Sequence, residues 1–449
     1  MEQGVTHEPV GILGLLGFHG PPEQLAGWAL AVFAGTYMLI FLEHYIHRTM
    51  AALIGASVVL FMGILTPAEA WRSIDYGTIF LLFGMMMIVS IMTKSGFFAL
   101  MAQRALLLTG GNPTRVLWVF SILTAIFSAF LDNVTTVLFM APVVLHLCLR
   151  LRLPPVPFLV AVVLASNVGG TTTLIGDPPN IIIGSIAGKS FNDFLIHVAP
   201  YVIPAFVAGI WVMQLLLGRQ GLLFAPASPD ELKALMADEP DQPIDWPLLR
   251  LSVGVFLVTV VLFVLSHSVL HLESGVIALF MASVLALLSR TSPVWFIERV
   301  EWITLVFFAG LFVVVGALEH TGVFHAIAEW LKNLMGDDIK LGVLIVGFGS
   351  ALISGFVDNI PYTISMSYVL RDLEQTLGPR MDSLWWALSI GACLGGNLTL
   401  IGASANVVTA DIAARAGHPI SFVTFLKYGT PISAVTVGIA LVLFFFLHP

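Results

Sequence analysis

The chain has 449 residues, of which 58% are hydrophobic and 10% are charged, and its mean hydropathy is +0.97. Since soluble domains carry roughly 25% charged residues, this composition excludes a soluble globular protein and indicates an integral membrane protein. The net charge of −8 and the scattered lysines and arginines argue against nucleic acid as a partner, and two cysteines supply neither a disulfide framework nor a metal site.

Apolar runs of about 17–25 residues predict ten membrane-spanning segments. They lie near residues 27–45, 50–66, 77–93, 157–186, 196–217, 249–268, 274–290, 303–319, 383–412 and 424–447. Two further apolar regions, about 114–150 and about 341–371, fit a single span poorly because an Asp-Asn pair interrupts each of them. A charged group at the bilayer centre of a plain helix costs about 2.5–3.5 kcal/mol. Both regions therefore predict re-entrant helical hairpins, with tips at 131–136 and 357–363.

The second half of the chain repeats the polar motifs of the first half at a constant spacing of 226 positions (358 − 132, 395 − 169, 406 − 180). The repeated pairs are Asp132-Asn133 with Asp358-Asn359, Gly169-Gly170 with Gly395-Gly396, and Asn180 with Asn406. A duplicated unit that carries helix-breaking polar motifs inside apolar sequence is how secondary transporters build a site near the membrane midplane. The repeat therefore predicts a transporter.

The lysines and arginines predict the orientation of this arrangement. If the N-terminus lies outside the cell, thirteen of the 19 lysines and arginines lie on the cytoplasmic side of the membrane and six on the outer side. The positive-inside rule therefore favours an arrangement with both termini outside. Each repeat holds five spans and one hairpin, so the odd number of crossings inverts the second repeat. We expect an all-α integral membrane protein with an N-terminal repeat at 1–217, a polar, proline-rich cytoplasmic linker at 218–248 and a C-terminal inverted repeat at 249–449.

In each repeat the span after the hairpin is predicted to be a broken helix. The interruptions run from Gly169-Gly170 to Asn180 within about 157–186, and from Gly395-Gly396 to Asn406 within about 383–412. Paired glycines, hydroxyls and prolines unwind a helix and expose N–H groups that face anions and C=O groups that face cations. Close packing of small residues between helices is the structural alternative for each glycine pair.

The strongest single candidates for function are Asp132 and Asp358, because an intramembrane carboxylate binds a cation or carries a proton unless it only caps a helix. Asp177 is an acid in one repeat alone, since Ala403 takes its place in the other, and it is either a coupling residue or a local cap. The predicted substrate- and ion-binding set is Asp132, Asn133, Thr135, Asn167, Thr171, Thr173, Asp177, Asn180, Asp358, Asn359, Thr363, Asn397, Thr399 and Asn406.

The sequence contains no Walker motif and no glycine-rich phosphate loop, and no hydrolase triad or metal-ligand cluster stands out. We therefore expect neither an enzyme nor a bound cofactor or metal. Transport is expected to draw on a proton or sodium gradient.

At these motifs the chain resembles the ion transporter superfamily, and within it the arsenical pump membrane protein and melanosomal P protein group. The residues that carry the resemblance are 130–136, 167–180, 357–361 and 391–406, and it extends over nearly the whole chain. The resemblance implies a scaffold domain and a transport domain, which contains both hairpins and both broken helices and moves in elevator fashion. It also implies a homodimer, and an arsenical pump can couple to a soluble ATPase subunit.

We therefore predict an ion-coupled secondary transporter of the cell (inner) membrane that exports arsenite or antimonite in exchange for protons. Arsenite is largely neutral As(OH)3 at neutral pH, so hydroxyl and amide ligands suit it. Two alternatives stay open. One is a sodium/proton antiporter in which Asp132 and Asp358 bind sodium, and the other is an organic or inorganic anion carrier that uses half-helix N-termini.

Overall fold

A computed structural model describes residues 11–15, 21–42, 45–222, 243–336 and 338–448, and the regular structure in these ranges is helical. The first half forms α1 (Ile12–Leu15), α2 (Ala26–Phe41), α3 (Arg48–Met62), α4 (Pro67–Ser73), α5 (Tyr76–Lys94), α6 (Phe97–Thr109), α7 (Pro113–Phe130), α8 (Asn133–Arg150), α9 (Pro155–Thr171), α10 (Pro178–Ala187), α11 (Phe191–His197) and α12 (Ala199–Arg219). The second half forms α13 (Trp246–Leu265), α14 (Ser274–Leu288), α15 (Pro293–Arg299), α16 (Trp302–His320), α17 (Val323–Met335), α18 (Ile339–Ser354), α19 (Asn359–Leu377), α20 (Asp382–Gly395), α21 (Ser404–Arg415) and α22 (Phe422–Leu447). Most of the predicted linker lies outside the described residues.

The two halves repeat helix by helix at the spacing of the sequence motifs. The helices α14 to α17 begin and end 226 residues after α3 to α6, as 274 − 48 and 288 − 62 show for the first pair. The same offset separates the starts of α7 and α18, of α8 and α19, and of α10 and α21 (339 − 113, 359 − 133, 404 − 178). The predicted fold is confirmed: two inverted repeats, each with five spanning helices, one re-entrant hairpin and a discontinuous helix.

The hairpins form where the sequence supplies helix caps. Asn112 and Asp338 precede the incoming arms α7 and α18, and their side chains accept hydrogen bonds from backbone N–H groups of the first turn. Asp132 and Asp358 cap the outgoing arms α8 and α19 in the same way. Pro361 lies in the first turn of α19, where a helix needs no N–H donor, so it is compatible with the start of this arm.

The spanning helices pack in two groups. In the first, called the scaffold group, α16 packs against α2 and α3, and α14 packs against α5 and α13. In the second, called the hairpin group, each hairpin packs on its own broken helix, α7 on α9 and α18 on α20, and α12 packs on α22. The halves of the hairpin group interlock, because α8 packs against α21 of the other repeat and α19 packs against α10. The helix α6 and the amphipathic helix α17 connect the two groups along the chain.

Candidate functional site

The tip of each hairpin is held by its own aspartate. The carboxylate of Asp132 accepts hydrogen bonds from the backbone N–H (2.8 Å) and the hydroxyl of Thr135. One carboxylate oxygen of Asp358 accepts from the backbone N–H of Ile360 at 3.0 Å. Both aspartates therefore cap helices, and this leaves the second oxygen of Asp358 for partners outside its own arm.

A network of side-chain amides links the first tip to both helix breaks. The Nδ2 of Asn133 donates to Oδ1 of Asn167 at 3.0 Å and to Oδ1 of Asp177 at 3.1 Å. The Nδ2 of Asn167 donates in turn to Oδ1 of Asn397 at 2.8 Å and of Asn406 at 3.0 Å. All five side chains are buried. The structure thus brings together predicted site residues from both repeats, with Asn167 at their centre.

Two of the predicted ligands brace the helix breaks. The Nδ2 of Asn180 donates to backbone carbonyls of its own break, including that of Thr173 at 2.8 Å. The Nδ2 of Asn406 does the same in the second break, including the carbonyl of Thr399 at 2.9 Å. These amides occupy carbonyl oxygens that the sequence suggested would be exposed to a cation. The breaks are therefore closed loops held by side chains, and fewer free carbonyls face the site than expected.

The threonine hydroxyls tie the breaks to the hairpins. The Oγ1 of Thr173 donates to the carbonyl of Ala129, and the Oγ1 of Thr399 donates to the carbonyl of Gly355. The donor and the acceptor of the second bond each lie 226 residues after those of the first. The hydroxyl of Thr171 donates at 2.7 Å to a carbonyl one turn earlier in its own helix. These three hydroxyls hold the architecture of the site.

The paired glycines lie at close approaches of the backbone. Gly169 and Gly395 belong to α9 and α20, and a Cβ on them would lie 2.3 and 2.4 Å from carbonyl oxygens of the incoming hairpin arms. Gly170 and Gly396 face the breaks, where a Cβ would lie 2.4 and 3.1 Å from the carbonyl of the next glycine. The first glycine of each pair therefore lets a hairpin arm pack on its broken helix, and the second lets the break fold back.

Several buried polar atoms around the tips lack a hydrogen-bond partner among the described residues. They include Oδ1 of Asn133, Oδ2 of Asp177, Nδ2 of Asn359 and Oγ1 of Thr363. Asn359 and Cys393 lie within hydrogen-bonding reach of the Asp177 carboxylate, so Asn133, Asp177 and Asn359 gather where the second tip approaches the first break. Since buried polar atoms are normally hydrogen-bonded, they are the candidate contacts of a solute or an ion.

The structure adds two residues that the sequence reasoning missed. The Nη1 of Arg48 lies 3.4 Å from Oδ2 of Asp358, and the hydroxyl of Ser404 donates to the same oxygen at 3.0 Å and accepts from Arg48. Arg48 begins α3 in the scaffold group, so this contact joins the two groups. A signal was present: the equivalent positions of the other repeat hold Ser274 and Pro178, which cannot form the same contacts.

Two cavities lie between the groups, at opposite ends of α5. One of about 440 Å3 reaches the first tip at Thr135 and is also lined by Lys94, Trp295, Arg299 and Glu301. Lys94 and Arg299 both lie over the ring of Trp295, at 4.8 and 5.7 Å from its centroid. The other, of about 400 Å3, is lined by the start of α5, α10 and the segment before α14. Both volumes are in the range of small-molecule sites.

Comparison with known proteins places these features in a family. The sequence model of the citrate transporter family, CitMHS, matches residues 37–391. An uncharacterized transporter of Mycobacterium tuberculosis is 41% identical over 418 residues, which cover 92% of this chain and 96% of that protein. The human P protein is 34% identical over an alignment of 508 positions, which covers 94% of this chain and 60% of the P protein. The YdaH transporter of Alcanivorax borkumensis is similar in fold, with a TM-score of 0.55 at 15% identity over 94% of this chain and 97% of that structure.

Proposed function

Because this chain belongs to the citrate transporter family, we propose that it is an ion-coupled secondary transporter whose site lies between the two hairpin tips and the two helix breaks. The observation that supports this proposal is the gathering of Asp132, Asp177 and Asp358 around one buried amide network. Carboxylates that bind and release a cation inside a membrane protein are the usual means by which an ion gradient drives a solute.

The proposed mechanism is alternating access of the elevator type. The hairpin group would move as a unit against the scaffold group. Along the chain, the proposed domain division is an N-terminal repeat at 1–217, a linker at 218–248 and a C-terminal repeat at 249–449. Two cavities at opposite ends of α5 and the polar contacts Arg48 to Asp358 and Tyr37 to Ser365 (3.3 Å) at the boundary support this proposal. Such contacts can break and re-form as one group slides.

The first candidate substrate is arsenite or antimonite, exported in exchange for protons. Two observations support this candidate. The tip region offers amides and hydroxyls, such as those of Asn133, Asn359 and Thr363, as ligands. An uncharged As(OH)3 molecule would also not be repelled by the nearby carboxylates. Protons would exchange at Asp132 and Asp358.

A second candidate is a small organic anion, for which the family description names citrate. The specific observation in its favour is the cavity at Thr135, where Lys94 and Arg299 flank Trp295. Two cations on one aromatic ring would attract a carboxylate and orient it towards the first tip. A sodium/proton antiporter is the third candidate, since carboxylate and hydroxyl oxygens are the ligands that a hard cation prefers.

A reconstitution experiment separates the three candidates. Proteoliposomes that enclose a pH-sensitive dye would receive arsenite, antimonite, citrate or sodium in turn. We expect a proton flux with arsenite that Asp358→Asn abolishes and that Asp411→Asn, which breaks an exposed ion pair with Arg415, leaves intact. A flux with citrate or with sodium alone would select the corresponding alternative, and no flux with any of them would contradict the proposal.

The resemblance adds proposals about the cellular setting. These are a location in the cell (inner) membrane with both termini outside, a homodimer, and coupling to a soluble ATPase subunit. Protease access in right-side-out vesicles tests the orientation, and the mass of the detergent-solubilised protein tests the dimer.

A further inference from the structure

Arg48 is anchored firmly in the scaffold group. His47 caps the helix that Arg48 begins, with its Nδ1 accepting from the backbone N–H of Thr49 at 3.3 Å. The hydroxyl of Thr49 donates to the carbonyl of Ile303 at 3.1 Å, and the guanidinium lies 5.3 Å from the ring centroid of Phe307. These contacts hold the start of α3 against α16, so Arg48 belongs to the scaffold group and its reach towards a moving hairpin group is limited to the length of its side chain.

The partners of Arg48 belong to the hairpin group. Asp358 caps the outgoing arm α19, and Ser404 begins α21 after the second break. The side chains of Arg48 and Asp358 are 13% and 11% exposed, so water screens their attraction weakly. The Ser404 hydroxyl accepts a hydrogen bond from Arg48 and donates one to Asp358, so it bridges the two charged side chains.

Among the described residues, the first hairpin shows no equivalent contact with the scaffold group. Ser274 and Pro178 stand at the positions of Arg48 and Ser404, and the carboxylate of Asp132 bonds to Thr135 of its own arm. Other titratable groups surround the pair: Asp177 and Tyr37 lie within electrostatic reach of Asp358, and Glu301 within reach of Arg48 and Asp132. The contact between a scaffold cation and a tip carboxylate is therefore a property of the second tip.

We propose that Arg48 is a tethered counter-cation that locks the unloaded carrier by occupying the carboxylate of Asp358. A small cation, either a proton or sodium, displaces the guanidinium from Asp358 when it binds, and the hairpin group is then released from the scaffold. This inference rests on the proposed function and adds a residue that enforces coupling, since a carrier without a cation at Asp358 stays locked.

The lock can be tested without any substrate. A cysteine at Ser365, whose hydroxyl lies 3.3 Å from that of Tyr37 across the group boundary, reports release of the hairpin group through its rate of maleimide labelling. The native Cys148 and Cys393 are buried. We expect labelling of the cysteine to be about tenfold faster when Arg48→Gln is added to Ser365→Cys, because the hairpin group would then be released in a larger fraction of the protein. The control is Arg415→Gln, which removes an exposed ion pair within one helix.

Cation titration of Ser365→Cys identifies the competitor. Faster labelling with sodium at constant pH selects sodium, and faster labelling at lower pH without sodium selects the proton. The Arg48→Gln background serves as the reference at each condition, because no lock remains there to be opened.

If Arg48→Gln does not fold, Ser404→Ala keeps both charges, removes the bridging hydroxyl, and should give a smaller increase. Unchanged labelling in the folded Arg48 variant, or no response of the parent to either cation, would overturn the lock. Failure of the liposome fluxes would instead count against the proposed function and would leave the labelling result standing.

Discussion

Asn167 donates a hydrogen bond of 2.8 Å to Asn397, and this single contact joins the helix before the first break to the second break, 230 residues apart. Its carboxamide also accepts from Asn133 and donates to Asn406. One side chain therefore couples the first tip with both repeats, and its position in the other repeat is occupied by Cys393.

Replacing this amide should disrupt the whole network. We expect Asn167→Ala to lower the free energy of unfolding by about 1–3 kcal/mol for each buried polar partner left without a bond, and to abolish coupled transport. Gln214→Ala is the matched control, since it removes a hydrogen bond to Trp118 (2.6 Å) away from the site. Thermal melts in detergent, with flux normalised to folded protein, would make the comparison. If both variants lose the same stability and the same flux, Asn167 does not hold the network together.

Asp177 should affect stability and transport in opposite directions. One of its oxygens accepts from Asn133, and the carboxylate is buried beside Asn359 and Cys393. Because burying a carboxylate charge costs more than burying a neutral amide of the same shape, Asp177→Asn should raise the free energy of unfolding by about 1 kcal/mol while it lowers cation-coupled flux. Asp411→Asn on an exposed helix face should change neither. Unaltered flux in Asp177→Asn would remove this residue from the site.

The glycine pairs predict a sharp contrast between two identical substitutions. Gly169→Ala places a Cβ 2.3 Å from the carbonyl of Ala125 and should destabilise the protein by about 1–3 kcal/mol or prevent hairpin closure. Gly254→Ala in α13 meets nothing within 4 Å and should be neutral or stabilising by up to about 1 kcal/mol. Melting temperatures of the two variants test this directly, and similar values would refute close packing at Gly169.

A pH effect is expected on the connecting helix α17. Nδ1 of His325 lies 2.9 Å from the carboxylate of Asp372 on α19, and this hydrogen bond, with the charge of Asp372, raises the pKa of His325 above its ordinary value. A raised pKa adds stability that is fully present below the unfolded value of about 6.5 and is lost as the pH rises through the folded value. His325→Gln should remove this part of the pH dependence of the melting temperature. His418→Gln should preserve it, and a parallel profile for both variants would contradict the assignment.

The repeat made the outline of the site predictable. Asp132 and Asp358 interrupt two apolar runs, which therefore fit a single span poorly, and the hairpins follow from the cost of burying a charge. The glycine pairs and the following asparagines likewise marked the breaks. The family relationship to the P protein, suggested by these motifs, is confirmed by 34% identity to the human protein.

The partners of individual polar atoms could not be predicted. Asn180 and Asn406 were expected to face a ligand, yet their amides bond to carbonyls of their own breaks, because a folded loop satisfies its nearest donors and acceptors first. Arg48 lies 310 residues from Asp358, and only the tertiary structure brings its side chain to the second tip. Comparing the repeats position by position would have drawn attention to Arg48, because such asymmetries are visible in sequence.

The interlocked packing of the hairpin group has a consequence for how such a fold can be assembled. The outgoing arm α8 packs against α21 of the other half as well as on its own α9, and α19 packs against α10. A polypeptide with one repeat alone would therefore leave each of these surfaces bare, and it could build the same site only by associating with a second copy in the opposite orientation. This chain has the construction of an antiparallel dimer whose two subunits have been fused into one polypeptide.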